Sequence, residues 1–245
     1  MSTNRPLGFS IRKTRDSLAP EQAGEPMITI YGIYRSRATR NIWLLEELKA
    51  PYTLKAVVQA NRLADPGAPD APLNTLSPEF LKLSPAGAIP VMEDGGLILS
   101  ESLAINHYIA RKHGGPLAPT DLREEAQMVQ WALFGATWIE SHALEIAYAH
   151  ARGEAASAAG QAVIRSAAEQ LTRPLAALET HLSCHSHMVG GRFTVADINM
   201  AEILRYCQPH NPLMDRFGRV KSWLDHCQSR PAFRKMWAAR ETEAI

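Results

Sequence analysis

Ile28-Thr29-Ile30-Tyr31-Gly32-Ile33-Tyr34 alternates along its length and is dense in β-branched and aromatic residues, the pattern of a half-buried strand. Within four residues it gives way to Ala38, Ile42, Leu45 and Leu48, apolar positions at helical spacing. Pro51 stops that helix, since its ring removes the N–H that the next turn needs. Tyr52 to Val58 then reads as a second strand, and the stretch between is long enough for the right-handed crossover that joins parallel strands. A βαβ unit therefore opens the folded part of the chain.

Working toward the C-terminus, residues 59–77 are rich in Pro, Asp, Asn and Ala and read as a long irregular loop. Ser77-Pro78-Glu79 starts a short helix, with serine able to cap and proline tolerated at the first helical position; it ends near Ser84-Pro85. Pro90 to Glu93, a turn at Asp94-Gly95-Gly96, and Leu97-Ile98-Leu99 form a hairpin, and Leu103 to His113 a helix. Breakers then crowd His113-Gly114-Gly115-Pro116-Leu117-Ala118-Pro119, a natural linker.

No strand signal follows. Asp121 to Arg152 reads as one long helix, with Val129, Leu133, Ala136 and Trp138/Ile139 at helical spacing. Leu171, Leu175, Leu178 and Leu182 mark another, in which Pro174 should kink the helix or begin a new one. In Phe193-Thr194-Val195-Ala196-Asp197-Ile198, Thr194 can cap a helix, Asp197 can answer back to the cap, and Phe193 can staple onto Ile198. Phe217, Val220 and Trp223/Leu224 belong to a further helical stretch, and Pro231 starts a final short one. The fold class is thus α/β plus all-α: a βαβαββα domain over 27–112, a linker over 113–120 and an all-helical domain over 121–245.

Working backward, residues 1–26 carry Arg5, Arg12, Lys13 and Arg15 ahead of the acids and show no apolar period. They read as a disordered extension. A transit peptide is the weaker reading, and Met27 as the natural start a plainer one.

Across the 245 residues, 46% hydrophobic and 21% charged composition speaks against intrinsic disorder, and a net charge of +1 leaves no overall field for nucleic acid or an anionic membrane. No apolar run is long enough to span a bilayer, so a cytoplasmic protein is expected. Cys184, Cys207 and Cys227 form neither an even disulfide set nor a close-spaced zinc motif. His181-Leu182-Ser183-Cys184-His185 could gather two imidazoles and a thiol on one helix face, but imidazoles also suit the dipole of a last turn, and no metal is expected.

Ser36-Arg37-Ala38-Thr39-Arg40, Ala88-Ile89-Pro90, Glu101-Ser102 and Phe193–Asp197 fall in that order across the change from α/β to all-α. Together they resemble the cytosolic glutathione S-transferase family, in particular its serine-type, theta/phi-like bacterial members. The resemblance covers nearly all of residues 27–240. It implies a thioredoxin-like first domain, a helical-bundle second domain and a two-fold homodimer.

The resemblance puts the glutathione sulfur at the Ser36 hydroxyl. A free thiol of pKa about 8.5 is only about 3% ionised at neutral pH, so holding the thiolate is the chemical task. A hydrogen bond to a charged group contributes about 1.5 to 3 kcal/mol, enough to lower that pKa by one to two units. On its residues alone Ser36 is equally an ordinary helix cap. Tyr31 and Tyr34 compete for the sulfur and are read first as packing residues. The resemblance also implies a cis Ile89–Pro90 bond that turns the Ile89 backbone toward glutathione, and a γ-glutamyl end at a helix start whose carboxylate meets Ser102 and whose ammonium faces Glu101 or a carboxylate from the partner subunit. Without it, those two are a cap and a dipole-matched acid. Ala88 departs from the family, which often carries Lys or Gln there; Lys82 is one replacement to consider. Trp138, His142 and Tyr148 are candidates for the electrophile side. The implied function is conjugation of glutathione to small electrophiles, with peroxide reduction as a second reaction. The competing reading is a non-catalytic binding or scaffold protein of the same fold.

Overall fold

The structure, a computed structural model, describes residues 27–244. The expectations for residues 1–26 lie outside the described residues. β1 (Ile28–Tyr31) pairs in parallel with β2 (Tyr52–Lys55) across α1 (Ala38–Leu48). β3 (Val91–Asp94) runs antiparallel to β1 and turns through Gly95 and Gly96, both at positive φ, into β4 (Leu97–Ser100). The sheet order is β2-β1-β3-β4. α2 (Pro78–Leu81) precedes β3, and α3 (Ser102–His113) follows β4, giving the thioredoxin-like order read from the sequence.

The second strand is shorter than expected. It ends at Lys55, and Val58 instead bridges to Asn74, so the two ends of the 59–77 loop are drawn together. Asn74 fastens them with its side-chain amide on the Pro66 and Pro72 carbonyls.

The helical domain holds α4 (Leu122–Phe134), α5 (Glu140–Ala151), α6 (Ala158–Cys184), α7 (Val195–Leu204), α8 (Asn211–Met214), α9 (Gly218–Gln228) and α10 (Pro231–Thr242). The single helix expected over 121–152 is two, joined by a π-helical turn at Gly135–Ile139. A Cβ on Gly135 would come within 2.7 Å of Ile203 Cδ1, so α7 approaches closely here and any larger residue would have to displace the tip of the Ile203 side chain. The wider turn re-aims Ala136 and Glu140, both of which line the groove described below. Conversely, Pro174 starts no new helix, since α6 runs through it from Ala158 to Cys184. Ile164, Ala167, Leu171, Leu175, Leu178 and Leu182 bury one face of α6, and that burial outweighs the one backbone bond lost at proline.

Thr194 and Asp197 form the predicted capping box at the start of α7. Asp197, fully buried, also accepts from the Met188 amide and from Trp223 Nε1, so one carboxylate ties α7 to α9 and to the preceding loop. Phe193 lies against Trp43, with ring centroids 6.1 Å apart, and beneath the Arg230 guanidinium. Trp43 itself is fully buried on α1 and meets Phe233 of α10 edge-on. One contiguous core runs from the sheet through α1 into the helical bundle. α1 is thereby clamped on both sides, and the residues at its start are held in place.

Candidate functional site

Gly32 ends β1 where the chain turns toward α1. A Cβ at that position would lie 2.9 Å from Ala38 Cβ, 3.7 Å from Ser36 Oγ and 3.9 Å from Ile89 Cβ. The turn thus brings Ser36 and Ile89 to the same spot from distant parts of the chain. Ser36 is buried; its hydroxyl donates to the Ile33 carbonyl at 2.6 Å and accepts from the Ala38 N–H at 3.1 Å. It therefore does cap the helix start.

The Ile89–Pro90 bond is cis. Among the described residues neither the N–H nor the C=O of Ile89 takes a hydrogen-bond partner, whereas both polar groups of Ala88 bond to the Ser84 hydroxyl. Ile89 borders three adjoining hollows of one groove. A chamber of about 410 Å³ reaches Glu101, Ser102, Arg40 and Glu140. A smaller one of about 120 Å³ reaches Ser36, Tyr148 and Arg205. An open one of about 580 Å³ reaches Gln59, Asn61 and Ala88. All four residues singled out for ligand binding therefore face a single groove. Arg37 borders every part of it.

Glu101 holds φ 68° and ψ 106° immediately before α3, a backbone conformation that costs a non-glycine residue about 1 to 3 kcal/mol. The strain places Glu101 in the open while Ser102 turns inward, 4% exposed. Arg40, buried beneath the groove, donates to Ser102 Oγ at 3.0 Å and to Glu140 at 2.8 Å. Arg37 pairs with the same Glu140 oxygen. Burial pushes the Glu140 carboxyl up, but Arg40 and Arg37 outweigh it and hold the group below its ordinary range.

Several functional residues escaped the sequence reading. Arg37 and Arg40 are the second and last residues of the Ser36–Arg40 segment, and their charge was the available signal. Gln59 was not distinguishable within its loop, yet its Oε1 is buried without a hydrogen-bond partner beside Ile89. That orphaned acceptor suits a peptide N–H. Lys82 does not border the groove at any of these hollows.

Of the electrophile candidates, Tyr148 joins Ser36. Trp138 is half-exposed and stacks between Phe134 and Arg173, and His142 lies 3.7 Å from Glu145. Tyr31 donates to Glu93, and the Tyr34 amide is taken by Glu243; neither phenol borders the groove. At the end of α6 the His181 and His185 rings stack 4.4 Å apart and each turns a nitrogen to a backbone carbonyl. Among the described residues no three His, Cys, Asp or Glu side chains are arranged to hold a metal.

The C-terminal end closes over the site. Glu243 accepts from the Tyr34 and Arg35 amides, each at 2.8 Å, while Arg240 bonds the Tyr34 carbonyl. Two backbone donors next to Ser36 are thus filled by a carboxylate of the chain's own.

A thioredoxin-like domain with a cis-proline strand is joined to a helical bundle around one groove, and comparison with known proteins places that architecture in a family. Residues 35–112 match the profile "Glutathione S-transferase, N-terminal domain", and residues 137–231 match "Glutathione S-transferase, C-terminal domain". Glutathione S-transferase 3 of Zea mays is 34% identical over 66% of this chain and 76% of its own. A solved glutathione S-transferase-I bound with lactoylglutathione is 26% identical, covers 87% of this chain and 99% of its own, and superposes with a TM-score of 0.72. Probable elongation factor 1-gamma 2 of Arabidopsis thaliana is 32% identical over 69% of this chain but 41% of its own length. The chain belongs to the glutathione S-transferase family. No described helix is long and apolar enough to cross a membrane.

Proposed function

We propose that this chain is a serine-type glutathione transferase that binds glutathione along the groove and directs its thiolate at a small electrophile. The observation that carries the reading is the convergence of Ser36, Ile89, Glu101 and Ser102 on one groove. Glutathione's cysteinyl backbone pairs with the free polar groups of Ile89. Its γ-glutamyl carboxylate meets Ser102 and the first amides of α3, over the buried Arg40, and its ammonium meets Glu101. Gln59 and Arg37 take the part that Lys or Gln plays at position 88 in relatives.

The sulfur lies at Ser36. Rotation about the Cβ–Oγ bond turns the Ser36 proton from the Ile33 carbonyl to the thiolate, while the Ala38 amide keeps the oxygen in place. The thiolate attacks the electrophilic carbon, a C–S bond forms and the leaving group departs with its electron pair; the thiol proton has already gone to solvent. Peroxide reduction by the same thiolate is a secondary reaction. Two domains, over 27–112 and 121–245 with a linker at 113–120, and a cytoplasmic location fit this role.

Likeness to elongation factor 1-gamma favours a second reading, a non-catalytic binding module. Retention on glutathione resin together with steady-state turnover of 1-chloro-2,4-dinitrobenzene supports the transferase; absence of both supports the module.

Exposed Leu97, Ile98, Val129 and Leu133, the last two bordering a small apolar hollow with Leu103, fit a homodimer contact.

A further inference from the structure

The hollow that contains Ser36 is walled by Arg35, Arg37, Arg62, Arg205 and Arg240, with no acidic residue among those that line it. On a chain of net charge +1 this is a local concentration of positive charge. The acids that do stand behind it are already engaged. Glu140 takes Arg37 and Arg40; Glu202 lies 3.1 Å from Arg205 and also accepts from Thr39. Glu243 faces the Tyr34 and Arg35 amides.

Three of the guanidiniums hydrogen-bond only to carbonyl oxygens, and Arg240 also lies over the Trp237 ring, 5.1 Å from its centroid. Arg62 donates to the Arg35 carbonyl, Arg35 to the Arg240 carbonyl and Arg240 to the Tyr34 carbonyl. Among the described residues none of the three is in an ion pair. Arg205 is 8% exposed, and its Nε is buried without a hydrogen bond because Glu202 lies off the N–H direction. Burial and the neighbouring Arg205 together pull Arg240 below the ordinary arginine range, the mark of cations held close without full compensation. A neutral aromatic substrate gains nothing from such a wall; an anion does.

Resting on the transferase reading above, we propose that the second substrate is an organic oxyanion, a carboxylate or sulfonate carried on the same ring as its electrophilic carbon, held by Arg62, Arg240 and Arg205 while Tyr148 flanks that ring. The thiolate at Ser36 then displaces the leaving group from the anchored molecule. With a chloro-dinitrobenzoate, the C–S bond forms, the C–Cl bond breaks and chloride leaves with the bonding electrons.

The test pairs 1-chloro-2,4-dinitrobenzene with 4-chloro-3,5-dinitrobenzoate, each kcat/KM divided by the rate constant for free glutathione at the same pH. The anionic member is expected to be favoured at least tenfold. Arg62→Met, at an exposed position, and Arg240→Met should each cut that preference about tenfold, with the glutathione KM moving less than twofold. Melting curves report whether either variant is folded. Equal treatment of the two substrates overturns the proposal, as does a variant that raises the glutathione KM and keeps the preference, because the arginines then serve glutathione. If neither substrate turns over above the free rate, the transferase reading fails. The anion site is then judged by calorimetry with the two preformed conjugates: tenfold tighter binding of the carboxylated one, lost in Arg62→Met, supports it, and equal affinity overturns it.

Discussion

Arg40 Nη1 donates to Ser102 Oγ at 3.0 Å, joining the first turn of α1 to the first residue of α3. The guanidinium is 1% exposed, so a full positive charge lies directly beneath the hydroxyl that faces the groove. A serine in that position is both polarised and fixed.

Ser102→Ala removes a hydroxyl donor that we assign to the glutathione carboxylate. Its loss should raise the glutathione KM by about tenfold or more, given about 1.5 to 3 kcal/mol for a charged hydrogen bond. The kcat at saturating glutathione should change far less, because the reacting sulfur is elsewhere. Initial-rate kinetics with varied glutathione decide it, and an unaltered KM removes Ser102 from the site.

Ser36→Ala should lower conjugation of 1-chloro-2,4-dinitrobenzene at neutral pH by about 10- to 100-fold while glutathione is still retained on resin. The pH–rate profile should move toward the free-thiol value of about 8.5, since the thiolate loses its donor. Unchanged turnover sinks the assignment of the sulfur to Ser36.

Glu140→Gln breaks the ion pairs to Arg37 and Arg40 and leaves Arg40 buried without its charge partner. Removing one member of such a pair costs about 3 to 5 kcal/mol. The Glu140 carboxyl is held below its ordinary 4.5, so its contribution is fully present above that pH and lost as pH falls through the lower folded value. Melting temperatures of wild type and variant should therefore differ most near neutrality and converge in acid. A constant gap across the acid range contradicts the sign of the shift.

Asp197→Ala strips partners from the Met188 amide, the Thr194 amide and Trp223 Nε1. Each buried donor left alone costs about 1 to 3 kcal/mol, so the loss should exceed about 3 kcal/mol and be visible as a large drop in calorimetric melting temperature. Asp197→Asn, which keeps one acceptor, should fall between the two. Equal stability of all three would show that water replaces the carboxylate.

Leu133→Glu places a charge beside the apolar hollow of α3 and α4. Light scattering should give twice 27.0 kDa for the wild-type chain and a single chain's mass for the variant. A wild-type monomer refutes the interface.

Much of this was legible in the sequence because the decisive signals are local. β-Branched alternation, Pro51 and the Gly95-Gly96 turn each act over a few residues, and the Thr194–Asp197 box closes within one helical turn. The π turn at 135–139 was not legible, since Gly135 is its one local mark and the residues packed there, Ile203 and Met200, come from far along the chain. For the same reason only one of the two readings of Pro174, the start of a new helix, is excluded: the apolar stripe of α6 packs on other helices, and that burial carries the helix through the proline. At the site, Ser36, Ile89, Glu101 and Ser102 stand in recognisable short segments. Gln59, Glu140, Arg205 and Arg240 do not: the folded 59–77 loop brings in the first, and the packing of the helical domain against the start of α1 brings in the other three.

The Glu243 clamp makes handling of the protein part of its chemistry. Because Glu243, just past α10, is fastened to the amides beside Ser36, whatever is joined after it leaves from beside the groove. Kinetics with and without a tag fused behind that residue therefore read directly how tightly the fastening governs entry.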